Sequence, residues 1–402
     1  MNPVLEMLGR RLRLAVVGGG PGSFIGPVHR TAARLDDRFE IVAAVLSSDA
    51  ERSRRAAMEL GIAAERAYGG WQELLEAERA RAQDGADVVA VMTPNGSHHA
   101  ICARALELGF DVICDKPLTT SLADALDLVR RVRASGRIFC LTHNYTAYPM
   151  VRQARDMVRA GVIGEVRQIQ LAYVQGHNAT LVEADAAGRG WRFDPAACGP
   201  SLILGDIGTH AHHLGAFVSG LELEEVMAEV WASVPGRRAD DAATVLMRWS
   251  GGARGAMWVT NAAAGAEHGL SFRIFGEKGG LEWHQEHPNE LLHRRLGGFP
   301  ELLTRRLHGA LTPSAERAAR IEIGHPEGYQ EAFANLYKDA AEAIAARIAG
   351  RPCDPLALDF PGVEDGARGI AMIEACLESA RTGRWTKARL ELRSASWSGR
   401  KS

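Results

Sequence analysis

Four short stretches carry residue types and spacings that suit chemistry on a small molecule. The first is Leu204-Gly205-Asp206-Ile207-Gly208-Thr209-His210-Ala211-His212-His213-Leu214. On a helix, Asp206 and His210 share a face, His213 joins them, and His212 points elsewhere. A carboxylate in that position can fix the tautomer and orientation of a histidine used as a base. The competing readings are a metal site and plain structure, with Asp206 as a helix cap and His210 in the core. His284, His287 and His293 exist, but no cluster with ligand spacing accompanies the stretch, so no metal is expected. Asp115-Lys116-Pro117 is the second stretch, and Pro117 biases Lys116 toward extended backbone. Thr93-Pro94-Asn95 is the third, with His98 and His99 just beyond. The fourth runs from Gly18 through Gly19, Gly20, Pro21, Gly22, Ser23, Phe24 and Ile25 to Gly26.

These residues need elements to hold them. Leu12 to Val17, Phe39 to Leu46, Asp87 to Met92, Asp111 to Cys114 and Arg137 to Thr142 read as short apolar strands. Helical stretches lie between them at Asp49 to Leu60, Trp71 to Ala82, His98 to Leu108 and Ser121 to Ala134. Strands covered on both faces by helices read as continuous apolar runs, so the expectation is a doubly wound α/β sheet. The third and second stretches then sit at carboxyl ends of parallel strands, where such sheets bind ligands. The glycines follow the first strand, where a dinucleotide needs a tight turn and close backbone approach. Gly18 and Gly20 fit G-x-G-x-x-G; the third glycine is matched by Gly26, three residues late. Pro21, Gly22 and Ser23 therefore read as an enlarged phosphate loop, against the alternative of a glycine turn with no ligand.

The second strand ends in Ser47-Ser48-Asp49, with Arg52 following. An acid at the strand tip suits the ribose of NAD, whereas a serine and an arginine suit the 2′-phosphate of NADP. NADP is favoured over NAD on this ground, with Asp49 either serving the ribose or capping the helix. After Tyr145 the pattern changes. One helix near Met150 to Ala160 precedes strands at Val166 to Val174, Glu225 to Val234, Thr244 to Trp249, Gly255 to Thr260, Leu270 to Phe275 and Gly280 to Trp283. Few helices separate them, which predicts an open, mostly antiparallel sheet. Gly297 to Gly324 reads as a surface excursion, and helices close the chain at Tyr329 to Ala349 and Val363 to Arg381. The division expected is residues 1–145 for the dinucleotide and 146–402 for an α+β substrate and oligomerisation domain.

Composition narrows the classes. The 402 residues carry 47 Lys and Arg against 49 Asp and Glu, a net charge of −2, which argues against a nucleic-acid binder. A hydrophobic fraction of 46% argues against disorder. No apolar run approaches the ~20 residues of a membrane span. The apolar stretch Leu14 to Val17 is too short for a signal peptide, so a cytoplasmic protein is expected. Six cysteines without a CxxC pair suggest reduced, structural thiols.

Taken together, Gly18-x-Gly20, Thr93-Pro94-Asn95, Asp115-Lys116-Pro117 and Gly205-Asp206-Ile207-Gly208-Thr209-His210 resemble the glucose–fructose oxidoreductase / inositol 2-dehydrogenase / MocA (Gfo/Idh/MocA) family over nearly the whole chain. Asp115 stands where that family usually has Glu. The resemblance implies a Rossmann domain binding NAD or NADP, and a second domain binding a sugar, polyol or glycoside and forming dimers or tetramers through its sheet. It implies catalysis by Lys116, Asp206 and His210: His210 as a base of near-neutral pKa, Lys116 on the reacting oxygen, and Asp206 orienting His210 or binding a neighbouring hydroxyl. Asn95 and His98 would hold the nicotinamide ribose. The long glycine turn, Trp191-Arg192-Phe193 and Gly324-His325-Pro326-Glu327-Gly328 look like a subgroup related to levoglucosan and other pyranoside dehydrogenases. Tyr145, His177, Trp191, Arg192 and His325 are the candidate substrate contacts beside Asp206 and His210. Two alternatives stay open: redox-neutral glycoside cleavage through transient oxidation, and a non-catalytic dinucleotide-binding regulator.

Overall fold

The computed structural model describes residues 2–181, 190–305 and 310–392. Among these residues the chain forms two sheets. The first contains β1 (Leu12–Gly18), β2 (Phe39–Val45), β3 (Val88–Met92), β4 (Asp111–Cys114) and β5 (Phe139–Leu141). All its pairings are parallel, in the order β2-β1-β3-β4-β5. Every residue of β3 and β4 is buried; β3 reads as an unbroken apolar run, and β4 opens on Asp111, whose carboxylate pairs with Arg347. Helices return the chain between strands, and their ends follow local chemistry. The Ser121 side chain accepts from the Asp124 N–H at the start of helix Leu122–Ser135, and Gly136 ends it at φ 62. The strand order reverses at β1, with β2 on one side and β3 on the other. A crevice therefore opens at the carboxyl ends of β1 and β3.

The second sheet contains β6 (Val166–Gln175), β7 (Leu223–Trp231), β8 (Ala242–Trp249), β9 (Arg254–Thr260), β10 (His268–Gly276), β11 (Gly279–His284), β12 (Glu290–Arg295), β13 (Pro300–Thr304) and β14 (Thr386–Lys387). Its order is β13-β12-β11-β10-β6-β9-β8-β7-β14, antiparallel except where β6 meets β9. Alternation sets its two faces. Along β8, Ala243, Val245, Met247 and Trp249 are buried while Thr244 and Leu246 face outward. The helix Thr209–Ser219 lies against β6, β9 and β10.

The expected surface excursion from Gly297 to Gly324 is corrected in part. It carries β13 and a short helix, Pro313–Ala318, and β12 precedes it. These edge strands are rich in Glu, Leu and Arg rather than β-branched residues, so their strand character comes from pairing, β12 with β11 and β13 with β12. Among the described residues no helix is long and apolar enough to cross a membrane, and the six cysteines are free thiols.

The 21-residue helix Tyr329–Ala349 joins the two halves. His29 Nδ1 lies 2.7 Å from the Tyr337 hydroxyl, Arg38 pairs with Glu342, and Arg347 pairs with Asp111 at 2.5 Å. On its other side, Asp339 pairs with Arg152 at 2.7 Å with both side chains fully buried. A buried charge needs such a partner, so each pair fixes where the helix sits.

Candidate active site

At Gly18, Gly20 and Gly26 the glycine turn is packed so tightly that a side chain does not fit. A Cβ on Gly20 would lie 1.8 Å from the Leu46 carbonyl oxygen at the tip of β2. One on Gly18 would lie 2.6 Å from the Met92 carbonyl oxygen at the tip of β3, and its φ is +91. Gly26 would meet the Gly19 carbonyl at 1.9 Å, the close helix–strand contact of a third glycine despite its late position. Ser23 closes the loop: its N–H donates to the Gly20 carbonyl at 3.0 Å, and its Oγ accepts from the Gly26 N–H at 3.2 Å. Pro21, Gly22 and Phe24 face outward at the start of helix Ile25–Leu35. A backbone drawn down between two strand tips, ahead of a helix N-terminus, suits a pyrophosphate.

At the tip of β2, Arg52 Nε donates to Ser47 Oγ at 2.9 Å. Asp49 is the N-cap of helix Ala50–Glu59, its carboxylate accepting the Arg52 N–H at 2.7 Å. At the tip of β3, Ser97 Oγ donates to Thr93 Oγ1 at 2.7 Å. Asn95 Nδ2 donates to the Cys198 carbonyl at 2.8 Å, docking the segment around helix Pro195–Cys198 onto this loop. His98 differs from the expectation. It is fully buried, with Nδ1 at 2.9 Å from the Pro117 carbonyl and Nε2 at 2.9 Å from the Thr93 carbonyl. Both nitrogens serve the two strand-tip loops rather than a ribose.

The strand β4 continues into Asp115 and Lys116. Thr142 Oγ1 donates to Asp115 at 2.8 Å, and His29 Nε2 stands 3.8 Å from the same oxygen. Desolvation opposes the charge of Asp115, yet His29 and Lys116 hold its carboxyl well below the usual range. Lys116 reaches across to the other half of the chain. Its Nζ donates to the Asp206 carbonyl at 2.6 Å and to the Asp206 carboxylate at 2.9 Å. Desolvation works against Asp206 as well, but the charges of Lys116 and Arg192 keep it ionised.

Two expectations about this cluster are corrected. Asp206 lies in a π-turn, Leu204–Gly208, immediately ahead of helix Thr209–Ser219. Its carboxylate pairs with Lys116, and the contact at the His210 Nδ1 comes from His143 instead, at 3.4 Å. Such widened turns occur often at functional sites. The second concerns acidity. Burial, then the nearby Lys116 charge, pushes His210 well below the ordinary histidine value, so the ring is neutral rather than near its titration point at pH 7.

Of the expected substrate contacts, Tyr145 and Arg192 come to the cluster. The Tyr145 ring meets His210 edge-on at 4.7 Å, and its hydroxyl is 2.6 Å from that of Tyr173. Arg192 stacks over Trp191 at 4.7 Å. His177 is exposed and stacks on His268. His325 is exposed on a turn, its carbonyl taken by Arg305 at 2.7 Å. The residue of that segment that reaches the cleft is Tyr329, 6.1 Å from Tyr145 and 6.2 Å from Phe24. Sequence reasoning missed Tyr329 and His143; the Tyr329 position at the first turn of a long helix was the available signal.

Comparisons with known proteins agree with this layout. Residues 12–143 match the model of an oxidoreductase family with an NAD-binding Rossmann fold. Residues 151–282 match the GFO/IDH/MocA C-terminal domain. An uncharacterized oxidoreductase of Bacillus subtilis, YfiI, is 36% identical across 94% of this chain and 97% of its own length. The crystal structure of an oxidoreductase from Sinorhizobium meliloti is 45% identical with a TM-score of 0.85, covering 94% of this chain and all of that one (100%). An inositol dehydrogenase homolog from Azotobacter vinelandii, complexed with NADH and myo-inositol, is 36% identical with a TM-score of 0.87, covering 95% and 98%. Levoglucosan dehydrogenase of Pseudarthrobacter phenanthrenivorans is more distant, 24% identical over 70% of this chain and 76% of its own length.

Gly20→Ala tests the turn. Its Cβ cannot coexist with the Leu46 carbonyl, so the loop must lift from the β2 tip. Fluorescence titration with NADH is expected to show binding weaker by about tenfold or more, equivalent to about 1.4 kcal/mol. Unchanged affinity would show that this turn does not carry the dinucleotide.

Proposed function

The chain belongs to the Gfo/Idh/MocA oxidoreductase family, and from that premise we propose that it transfers hydride between a secondary alcohol of a sugar, polyol or glycoside and a nicotinamide dinucleotide. The observation that carries this reading is the Lys116–Asp206 pair beside His210. It sets an ammonium, a carboxylate and a neutral imidazole together at the carboxyl ends of the parallel strands. When bound, the nicotinamide supplies the hydride acceptor. His210 takes the hydroxyl proton through its free ring nitrogen, and its neutral state leaves it ready to do so. Lys116 donates a hydrogen bond to the same oxygen and offsets its growing negative charge. Asp206 holds Lys116 in place and accepts from a neighbouring hydroxyl. In the opposite direction His210 returns the proton.

A cyclic polyol or pyranose suits the cleft, whose wall is aromatic at Tyr145 and Tyr329, with Arg192 near enough for its charge to act on Asp206. The myo-inositol bound by the Azotobacter relative supports a ring bearing several hydroxyls. NADP is the tighter cofactor in this reading. Ser47 and Arg52 already form a donor pair at the ribose end, and the Asp49 carboxylate is engaged in capping. The chain forms a homo-oligomer through the outer face of its large sheet. There Leu246 and Trp258 are about half exposed, at 49% and 48%, on neighbouring strands.

Lys116→Ala and His210→Ala are each expected to lower kcat/KM about a hundredfold or more on any polyol or sugar that wild type oxidises, followed by NAD(P)H absorbance. Undiminished turnover in both would remove the mechanism. Arg52→Ala is expected to weaken NADP binding about ten- to a hundredfold, from a charge-assisted bond of roughly 1.5–3 kcal/mol, with NAD nearly unaffected. Calorimetry showing NAD bound more tightly, or equal losses for both, would reverse the cofactor assignment. Trp258→Arg is expected to yield a smaller species by light scattering; an unchanged mass would place the interface elsewhere.

A further inference from the structure

We propose that His143 is a positioning residue that fixes the tautomer of His210, accepting a hydrogen bond from its Nδ1 and leaving Nε2 as the nitrogen that exchanges a proton with substrate. The inference rests on His210 serving as the base.

His143 follows β5, and its backbone is held on both sides: its N–H donates to the Leu141 carbonyl at 2.9 Å, and its carbonyl accepts from Thr146 Oγ1 at 3.0 Å. Its ring is buried and stacks on His213, with centroids 4.7 Å apart and planes 20° apart. It meets the His210 ring nearly perpendicularly, at 84°, with the two Nδ1 atoms 3.4 Å apart. Two acceptor lone pairs cannot face each other at that distance inside a protein, so one nitrogen carries a hydrogen.

The direction follows from what each arrangement permits. If His143 donated, neutral His210 would carry its hydrogen on Nε2 and have no free nitrogen for a substrate proton. If His210 donates from Nδ1, its Nε2 lone pair is free. The hydroxyl proton then goes to Nε2, the Nδ1 hydrogen stays, and the bond to His143 strengthens as His210 becomes cationic. His143 neither gains nor loses a proton. It suits a neutral acceptor, because burial and the neighbouring His213 and His210 push it well below the ordinary histidine value. The charges facing His210 are Lys116, Asp206 and Asp115, with His213 beside them. Tyr145 and Tyr173 close the aromatic side. Asp206 is turned to Lys116, so the orienting task falls to His143.

Three variants test this: His143→Leu, His143→Asn and His210→Ala. The Asn side chain places its carbonyl oxygen near the position of Nδ1. His143→Leu is expected to lower kcat for alcohol oxidation about ten- to a hundredfold, with KM and the NADH dissociation constant within about threefold of wild type. His143→Asn should recover most of that loss. In imidazole nitrogen NMR of the wild-type protein, the signal lost in His210→Ala should show hydrogen on Nδ1. Hydrogen on Nε2 of His210, or equal kcat values for His143→Leu and wild type while His210→Ala is inactive, would overturn the role of His143 alone. Full activity of His210→Ala would overturn the base assignment and this inference with it. A loss of kcat in His143→Leu that Asn does not recover, with unchanged NMR of His210, would make His143 a packing residue only.

Discussion

A lysine at the end of a buried parallel strand must meet an opposite charge, because an isolated ammonium in a low-dielectric cleft is costly. Here the counter-charge comes from the other half of the chain. Lys116 ends the line of β4, and Asp206 belongs to the turn that leads into the helix lying on the large sheet. This ion pair therefore ties the two halves of the chain together at the cleft. The second hydrogen bond from Lys116, to the Asp206 carbonyl, ties the lysine to the turn's backbone as well as to a rotatable side chain. His210 follows on the same helix, so its distance from Lys116 is fixed by the same contact.

Much of this was legible in the sequence because it obeys short-range rules. The parallel strands read correctly since β3 and β4 are buried on both faces and are apolar throughout except for the paired Asp111. The glycines of the turn were legible because the backbone approaches so closely at Gly18 and Gly20 that a Cβ would clash. The pair Lys116 and Asp206 could be named from a motif, but not their bond to each other. The four-residue spacing of Asp206 and His210 pointed to a shared task on an α-helix, and the π-turn changes the hydrogen-bonding partners at that point. His143 gave no signal, since its role arises from a stack and a ring contact with residues 67 or more positions away.

The histidines show how little residue type alone decides. His98 is consumed by two carbonyls, and His212 packs on Trp249 at 6.0 Å and is pushed down to about 3 by burial, His213 and Arg368. His177 and His325 lie in the open, while His210 meets the cleft with a ring nitrogen to spare. The same imidazole is a structural bridge, a core filler or a group that meets the cleft, according to what surrounds its two nitrogens. That information is tertiary. Asp49 makes the same point for carboxylates: its side chain closes a helix end, and the strand tip is left to Ser47 and Arg52.

The helix Tyr329–Ala349 gives β4 a mechanical character that a strand in a sheet does not have by itself. At the foot of β4, Asp111 is gripped by Arg347 near the end of that helix. Past its tip, Asp115 stands 3.8 Å from His29 Nε2, whose Nδ1 lies 2.7 Å from the Tyr337 hydroxyl on the same helix. The strand is thus referenced at both ends to one rigid rod of about 30 Å, at about 1.5 Å per residue. A beam clamped at both ends can flex in the middle but cannot slide along its length. Lys116 inherits that constraint: its height in the cleft is a dimension of the scaffold.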